Sequence, residues 1–224
     1  MADSRNDSLN VSLSPSGEGF PLPGGDDYRK EFEMLKDLVA RERGKGREIV
    51  VVMGLGFVGA VMAGVIADSV DRETGRSMKF VIGMQRPSPR SFWKIPWMRR
   101  GTTPVEAEDP EVAPMIDRCV NEKKTLTATF TYDVLSLADV VVVDVQCDYQ
   151  KDTLGDVVQG KADIGALEEA LRIIGEKIGP DCMVLIETTV PPGTTEYVAY
   201  PIVRKAFERR GLKGREPLIA HSFE

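Results

Sequence analysis

One histidine, His221, and three scattered cysteines, Cys119, Cys147 and Cys182, are all that this 224-residue chain offers a soft metal. No two cysteines stand in a CxxC spacing. Neither a metal site nor a disulfide framework is therefore expected, and the thiols read as reduced cysteines of a cytoplasmic protein. Basic excess is missing too: 29 Lys and Arg stand against 35 Asp and Glu, for a net charge of −6. A nucleic-acid partner, which calls for a basic face, is not expected. No membrane span is expected, because the longest stretch free of polar side chains, residues 49–67, is broken up by four glycines. The first residues, MADSRNDSLN, lack the basic and apolar stretches of a secretory leader.

What remains is a chain with 42% hydrophobic residues, enough for a sizeable core. Residues 1–26 are rich in Ser, Gly, Asp, Asn and Pro and read as a disordered tail. Residues 27–46 read as a helix, with Tyr28, Phe32, Leu35 and Val39 on one face. From residue 47 onward, apolar β-branched runs alternate with helical stretches. Strands are predicted at 47–53, 79–84, 126–130, 139–145, 182–187 and 217–222. Helices are predicted at 57–69, after an Asp109 cap with Pro110 in first position, from Asp133, over 163–178, and over 194–210. The last is expected to kink at Pro201 and to stop at Gly211. Residues 86–108 read as irregular because Pro87, Pro89, Pro96 and Pro104 fall there, and a polar loop is expected before Asp163. This alternation predicts an α/β fold of Rossmann type over residues 47–224: a doubly wound, six-stranded parallel sheet with helices on both faces.

The stretch IVVVMGLGFVGAVMAG, residues 49–64, places Gly54, Gly56 and Gly59 in a G-x-G-x-x-G pattern between the first strand and its helix. That context is the one in which such a run binds a dinucleotide pyrophosphate. The first glycine makes the turn, the second lets the backbone approach the anion, and the third lets the helix pack on the strand. The competing reading is a tight turn with no ligand. An acidic residue ordinarily ends the second strand and holds the adenosine ribose. Here that end reads GMQRP, with Gln85 and Arg86. Gln85 can bond a ribose hydroxyl, and Arg86 can pair with a 2′-phosphate, so NADP stands beside NAD as cofactor.

Further stretches resemble the UDP-glucose/GDP-mannose dehydrogenase family. MGLGFVG is similar to its G-x-G-[FY]-V-G opening, and ETTVPPGTTE (187–196) to its S-T-V-P-P-G-T-T signature. GTTPVEAEDPEV (101–112), ATFTYDVLSLADVVVVDV (128–145) and the closing HSFE are similar to three more of its segments. The resemblance covers roughly residues 47–224. It implies NAD-dependent oxidation of the C6 hydroxyl of a UDP- or GDP-sugar to a carboxylate, with two NAD and a thiohemiacetal on a cysteine. It implies that Gly54, Gly56, Phe57, Val58 and Gly59 hold the pyrophosphate. By the same resemblance Thr189 lies near the nicotinamide and a catalytic water, and Glu224 assists the oxidation. Cys147 stands where the family has a cofactor-contacting threonine.

Gln85, Gln146, Cys147 and Phe223 depart from the family pattern. The family's nucleophilic cysteine and substrate domain correspond to positions beyond 224. The expectation is thus an NAD-binding part of a nucleotide-sugar dehydrogenase, inactive alone and homo-oligomeric when whole. The alternative is a non-catalytic dinucleotide-binding module. Two other enzyme classes fit poorly. Tyr200 and Arg204 have Tyr-x-x-x-Lys spacing but lack the lysine, and a methyltransferase would need an acid at the second strand's end.

Overall fold

The computed structural model describes residues 10–150 and 161–222. Its centre is a parallel sheet of six strands: β3 (Glu48–Met53), β4 (Lys79–Met84), β5 (Leu126–Thr129), β6 (Val140–Val143), β9 (Met183–Ile186) and β10 (Leu218–His221). Their spatial order is β10-β9-β6-β3-β4-β5. The chain therefore starts in the middle, winds out to β5, returns to β6 beside β3 and winds out the other way. This is the doubly wound Rossmann order, and the reversal between β3 and β6 opens a crevice at their carboxyl ends. Hydrogen bonds continue just past the strands. Gly54 N donates to Met84 O, Asp144 N to Met53 O and Glu187 N to Val143 O, at 2.9, 2.9 and 3.0 Å. The loops leaving this edge thus start in fixed register.

Both sheet faces are covered because the central strands are apolar on both. Ile49, Val51 and Met53 face α1 (Gly25–Gly44), α5 (Gly165–Lys177) and α6 (Tyr200–Arg209); Leu35, Leu171, Ile174, Val203 and Phe207 complete that layer. Val50 and Val52 face α2 (Phe57–Asp68), α3 (Lys94–Arg99) and α4 (Val112–Asp117). α2 meets the sheet through Gly59, Ala60, Ala63, Gly64 and Ala67. Such small residues let its backbone lie close to the strands.

The expectation of a disordered tail through residue 26 is corrected over residues 10–26. β1 (Val11–Leu13) and β2 (Gly19–Pro21) form an antiparallel hairpin, and α1 starts at Gly25. Its polar residues are partnered, not idle. Ser12 Oγ accepts the Trp93 amide at 3.1 Å, and Glu18 accepts the Trp97 indole N–H at 3.2 Å and pairs with Arg100. Residues 1–9 lie outside the described residues. Hairpin and α1 together strap the sheet at β5. Glu31 of α1 is buried, takes a hydrogen bond from Thr129 Oγ1 at 2.7 Å and pairs with Arg99 of α3. Arg99 Nε in turn donates to Ala128 O at 2.8 Å, capping the outer edge of β5.

Other differences are local. α3 lies inside the stretch expected to be irregular; Pro96 is its third residue, where a missing N–H breaks no intrahelical bond. The loop before α5 contains a two-stranded ribbon, β7 (Asp148–Gln150) with β8 (Lys161–Asp163). Asp163 closes β8 and, from the position before the Ile164 cap, accepts the Gly165 amide that opens α5, at 3.1 Å. At Pro201, α6 is preceded by a π turn over Thr195–Ala199, in which Tyr200 N reaches back to Thr195 O.

Candidate functional site

The turn between β3 and α2 sits at the mouth of the crevice. Gly54 has φ +109°, and a Cβ there would lie 1.8 Å from the Asp144 carbonyl oxygen. A Cβ on Gly59 would lie 2.0 Å from Gly54 O. These two glycines let β3, α2 and the end of β6 close on one another. Gly56 is different: its backbone is extended, with φ −75° and ψ −165°, and a Cβ there would meet nothing within 4 Å. The space beside it is open. Phe57 and Val58 begin the helix, so their amides have no carbonyl one turn earlier to receive them. Open space next to such amides at a helix N-terminus fits an anionic phosphate group.

Two side chains brace this turn. Gln85, just past β4, accepts the Leu55 amide on its Oε1 at 2.9 Å. Lys94, the first residue of α3, donates to the Leu55 carbonyl at 2.7 Å. Leu55 itself is fully buried. Burial lowers the pKa of Lys94 from its ordinary value. Arg86 stays largely exposed and lies 3.9 Å from Glu169 of α5.

At the ends of β6 and β9 the buried Thr188 acts as a clasp. Its hydroxyl donates to Val145 O at 2.8 Å and accepts the Val145 amide at 3.0 Å. Its neighbour Thr189 is exposed. Beyond it, Gly193 turns the chain at φ +85°, and Thr194 donates to Pro191 O at 2.7 Å. Cys147 is partly exposed on the loop after β6. Its thiol is raised above the ordinary value by burial, then by Asp148 and Asp163. Burial pushes Cys119 up to about 11 and Cys182 up to about 12, with Asp68 and Asp139 adding to the shifts.

A second opening is an apolar groove of about 700 Å³ along the outer side of α2, lined by Phe57, Val61, Val65 and Val112. Glu106, Glu108 and Asp109 also line it, and their charge disfavours a phosphate there.

The structure thus brings Gly54, Gly56, Phe57, Val58, Gly59 and Gln85 together. Thr189 and Cys147 leave the carboxyl ends of β9 and β6 on the other side of the switch. Glu224, and Phe223 beside it, lie outside the described residues. Lys94 was not singled out by sequence, because a lone lysine in a proline-rich stretch carries no spacing signal. Among the described residues no group of three or more His, Cys, Asp and Glu side chains is placed to hold a metal ion. No helix there is long and apolar enough to cross a membrane.

Comparison with known proteins agrees with this geometry. Residues 48–218 match the model of the UDP-glucose/GDP-mannose dehydrogenase family, NAD binding domain. The chain is similar to the crystal structure of an NDP-N-acetyl-D-galactosaminuronic acid dehydrogenase from Methanosarcina mazei, with 30% identity and a TM-score of 0.66, covering 84% of this chain and 36% of that one. It is 26% identical over 178 residues to a UDP-N-acetyl-D-mannosamine dehydrogenase of Pyrococcus horikoshii, covering 78% of this chain and 36% of the relative. A GDP-mannose dehydrogenase from Pseudomonas aeruginosa shares the fold, at 23% identity and a TM-score of 0.59 over 78% of this chain and 36% of that one. The chain therefore spans about a third of the length of these relatives.

Proposed function

The chain belongs to the UDP-glucose/GDP-mannose dehydrogenase family, matching its NAD-binding domain, and on that premise we propose that it is the cofactor-holding part of a nucleotide-sugar 6-dehydrogenase. The observation that carries this reading is the contrast within the glycine turn. Two glycines are sealed against backbone, and Gly56 alone faces open space. The amides of Phe57 and Val58 hold the pyrophosphate there. The Gln85 amide group donates to the adenosine ribose. Thr189 and Cys147 border the nicotinamide end, where Thr189 orients a water by its exposed hydroxyl. Bound NAD supplies the hydride acceptor. The substrate is a UDP- or GDP-linked sugar, whose C6 hydroxyl is carried to a carboxylate. Glu224 assists that oxidation.

The chain alone does not turn over. Trapping an aldehyde as a thiohemiacetal needs a thiolate, and all three thiols are held in the protonated direction. The same fact favours the second reading, a dinucleotide-binding module without catalysis. Calorimetry with NAD tests the site. Wild type is expected to bind, and Gly56→Val to lose binding while keeping its melting temperature. Equal affinity in the two would remove the site. NADH formation from UDP-glucose, GDP-mannose or their N-acetylated relatives, assayed on this chain alone, is expected to be absent; turnover abolished by Cys147→Ser would overturn the inactive reading.

A further inference from the structure

The stretch from the end of β4 through α3, QRPSPRSFWKIPWMRR (85–100), carries five cations and no acid, in a chain whose net charge is −6. Two of the five are neutralised by the N-terminal strap: Arg99 by Glu31 and Arg100 by Glu18. Lys94 is committed to the Leu55 carbonyl. Arg86 and Arg90 are left, both exposed. Among the described residues Arg86 pairs with Glu169, at 3.9 Å with both side chains more than 60% exposed, a contact that solvent screens and that is easily given up.

The turn that presents them is rigid. Pro87 and Pro89 fix its backbone. Ser91 Oγ donates to Arg86 O at 3.0 Å, Ser88 and Ser91 hydroxyls meet at 2.7 Å, and the Ser91 and Phe92 amides return to Ser88 O at 3.1 and 3.0 Å. The two arginines thus bracket a preformed loop at the end of β4, the position that faces the adenosine ribose in this fold. A carboxylate at that strand end would repel a phosphate on the ribose. Here the residue is Gln85, and its carbonyl oxygen is already engaged by the Leu55 amide. Its Nε2 makes only a long contact to Arg86 O, at 3.5 Å, and keeps an N–H to offer a ligand.

We propose that this loop is a 2′-phosphate subsite, with Arg86 and Arg90 as its cations, so that the chain takes the 2′-phosphorylated dinucleotide NADP at least as well as NAD. The proposal rests on the cofactor reading above. Guanidinium groups suit it because they bind phosphate oxygens through paired, charge-assisted hydrogen bonds.

The test compares 5′-AMP with 2′,5′-ADP, which differ by the 2′-phosphate alone, by calorimetry on the full chain, at low and at high salt. The bisphosphate is expected to bind about tenfold more tightly at low salt, a gap of about 1.4 kcal/mol, and the gap is expected to shrink as salt screens it. The double variant Arg86→Ala/Arg90→Ala should erase the gap and leave 5′-AMP affinity and the melting temperature unchanged. Gln85→Asp should reverse the preference. A bisphosphate that binds no better than 5′-AMP, or a preference that survives the double variant, overturns the subsite while leaving the cofactor site standing. Failure of both nucleotides to bind overturns the cofactor reading and the subsite with it.

Discussion

Gln85 accepts the Leu55 amide at 2.9 Å, so the end of the second sheet strand holds the glycine turn that follows the first. The residue that would ordinarily grip the ligand from this position here grips the turn. Gln85→Leu leaves a buried amide without its acceptor and is expected to cost about 1 to 2 kcal/mol of stability. Gln85→Glu, which keeps an acceptor, should cost less. Urea unfolding of the three proteins checks this order; equal midpoints for Gln85→Leu and wild type would refute the brace.

Acid should weaken the domain through Asp68. Its carboxylate receives a two-point contact from Arg118, at 2.9 and 2.6 Å, and a further contact from Lys123 at 2.7 Å. These partners, the Arg118 hydrogen bonds foremost, hold its pKa well below the ordinary 3.8. The unfolded chain therefore takes up this proton first as pH falls. The stabilisation is complete above about pH 4 to 5 and is lost below 3.8, toward the depressed folded value. Asp68→Asn is expected to melt lower than wild type at neutral pH, with the difference narrowing in acid. A constant difference between neutral pH and pH 3 would contradict this.

Breaking the strap's buried ion pair should be costly. Glu31 is buried, and Arg99 is its charge partner. Arg99→Met strands that carboxylate and also uncaps Ala128 O, with an expected loss of about 3 kcal/mol. Glu31→Gln/Arg99→Met should recover part of it, since the stranded charge is then gone. Denaturant curves that place the double variant below the single would refute the pairing.

Alkylation should separate the thiols by position. In the native chain at neutral pH, Cys147 is expected to react slowly and Cys119 and Cys182 not at all, since burial holds the latter two at about 11 and about 12. Asp163→Asn should speed Cys147, because Asp163 is one of the charges raising it. Peptide mass spectrometry after timed iodoacetamide treatment reads all three. Early label on Cys182 would show that its strand start is open.

The sheet was legible because its central strands are apolar, largely β-branched runs buried between two helix layers, and such runs have few other uses. The segment 79–84 was read to the residue. The glycine turn was legible because three positions each meet a separate geometric demand. Features that depend on partners far away in the chain were not. The hairpin looks like a polar tail until Trp93, Trp97 and Arg100 receive Ser12, Glu18 and Phe20. Apolar spacing on α1 found Leu35 and Val39 but passed over Glu31 and Glu42, which share the buried face because arginines meet them. α3 was hidden by its proline. Thr188 and Thr189 look alike in sequence, and only the fold of the β6 loop makes one a clasp and leaves the other exposed.

The strap also imposes an order on synthesis. Glu31 leaves the ribosome 68 residues ahead of Arg99 and 98 ahead of Thr129. At about 5–20 residues per second, Glu31 waits on the order of 5 to 20 s for Thr129. During that interval α1 carries a carboxylate and an apolar stripe with no sheet to receive them. The helix thus settles only once β5 is made, and its docking marks the moment when that edge of the sheet is finished.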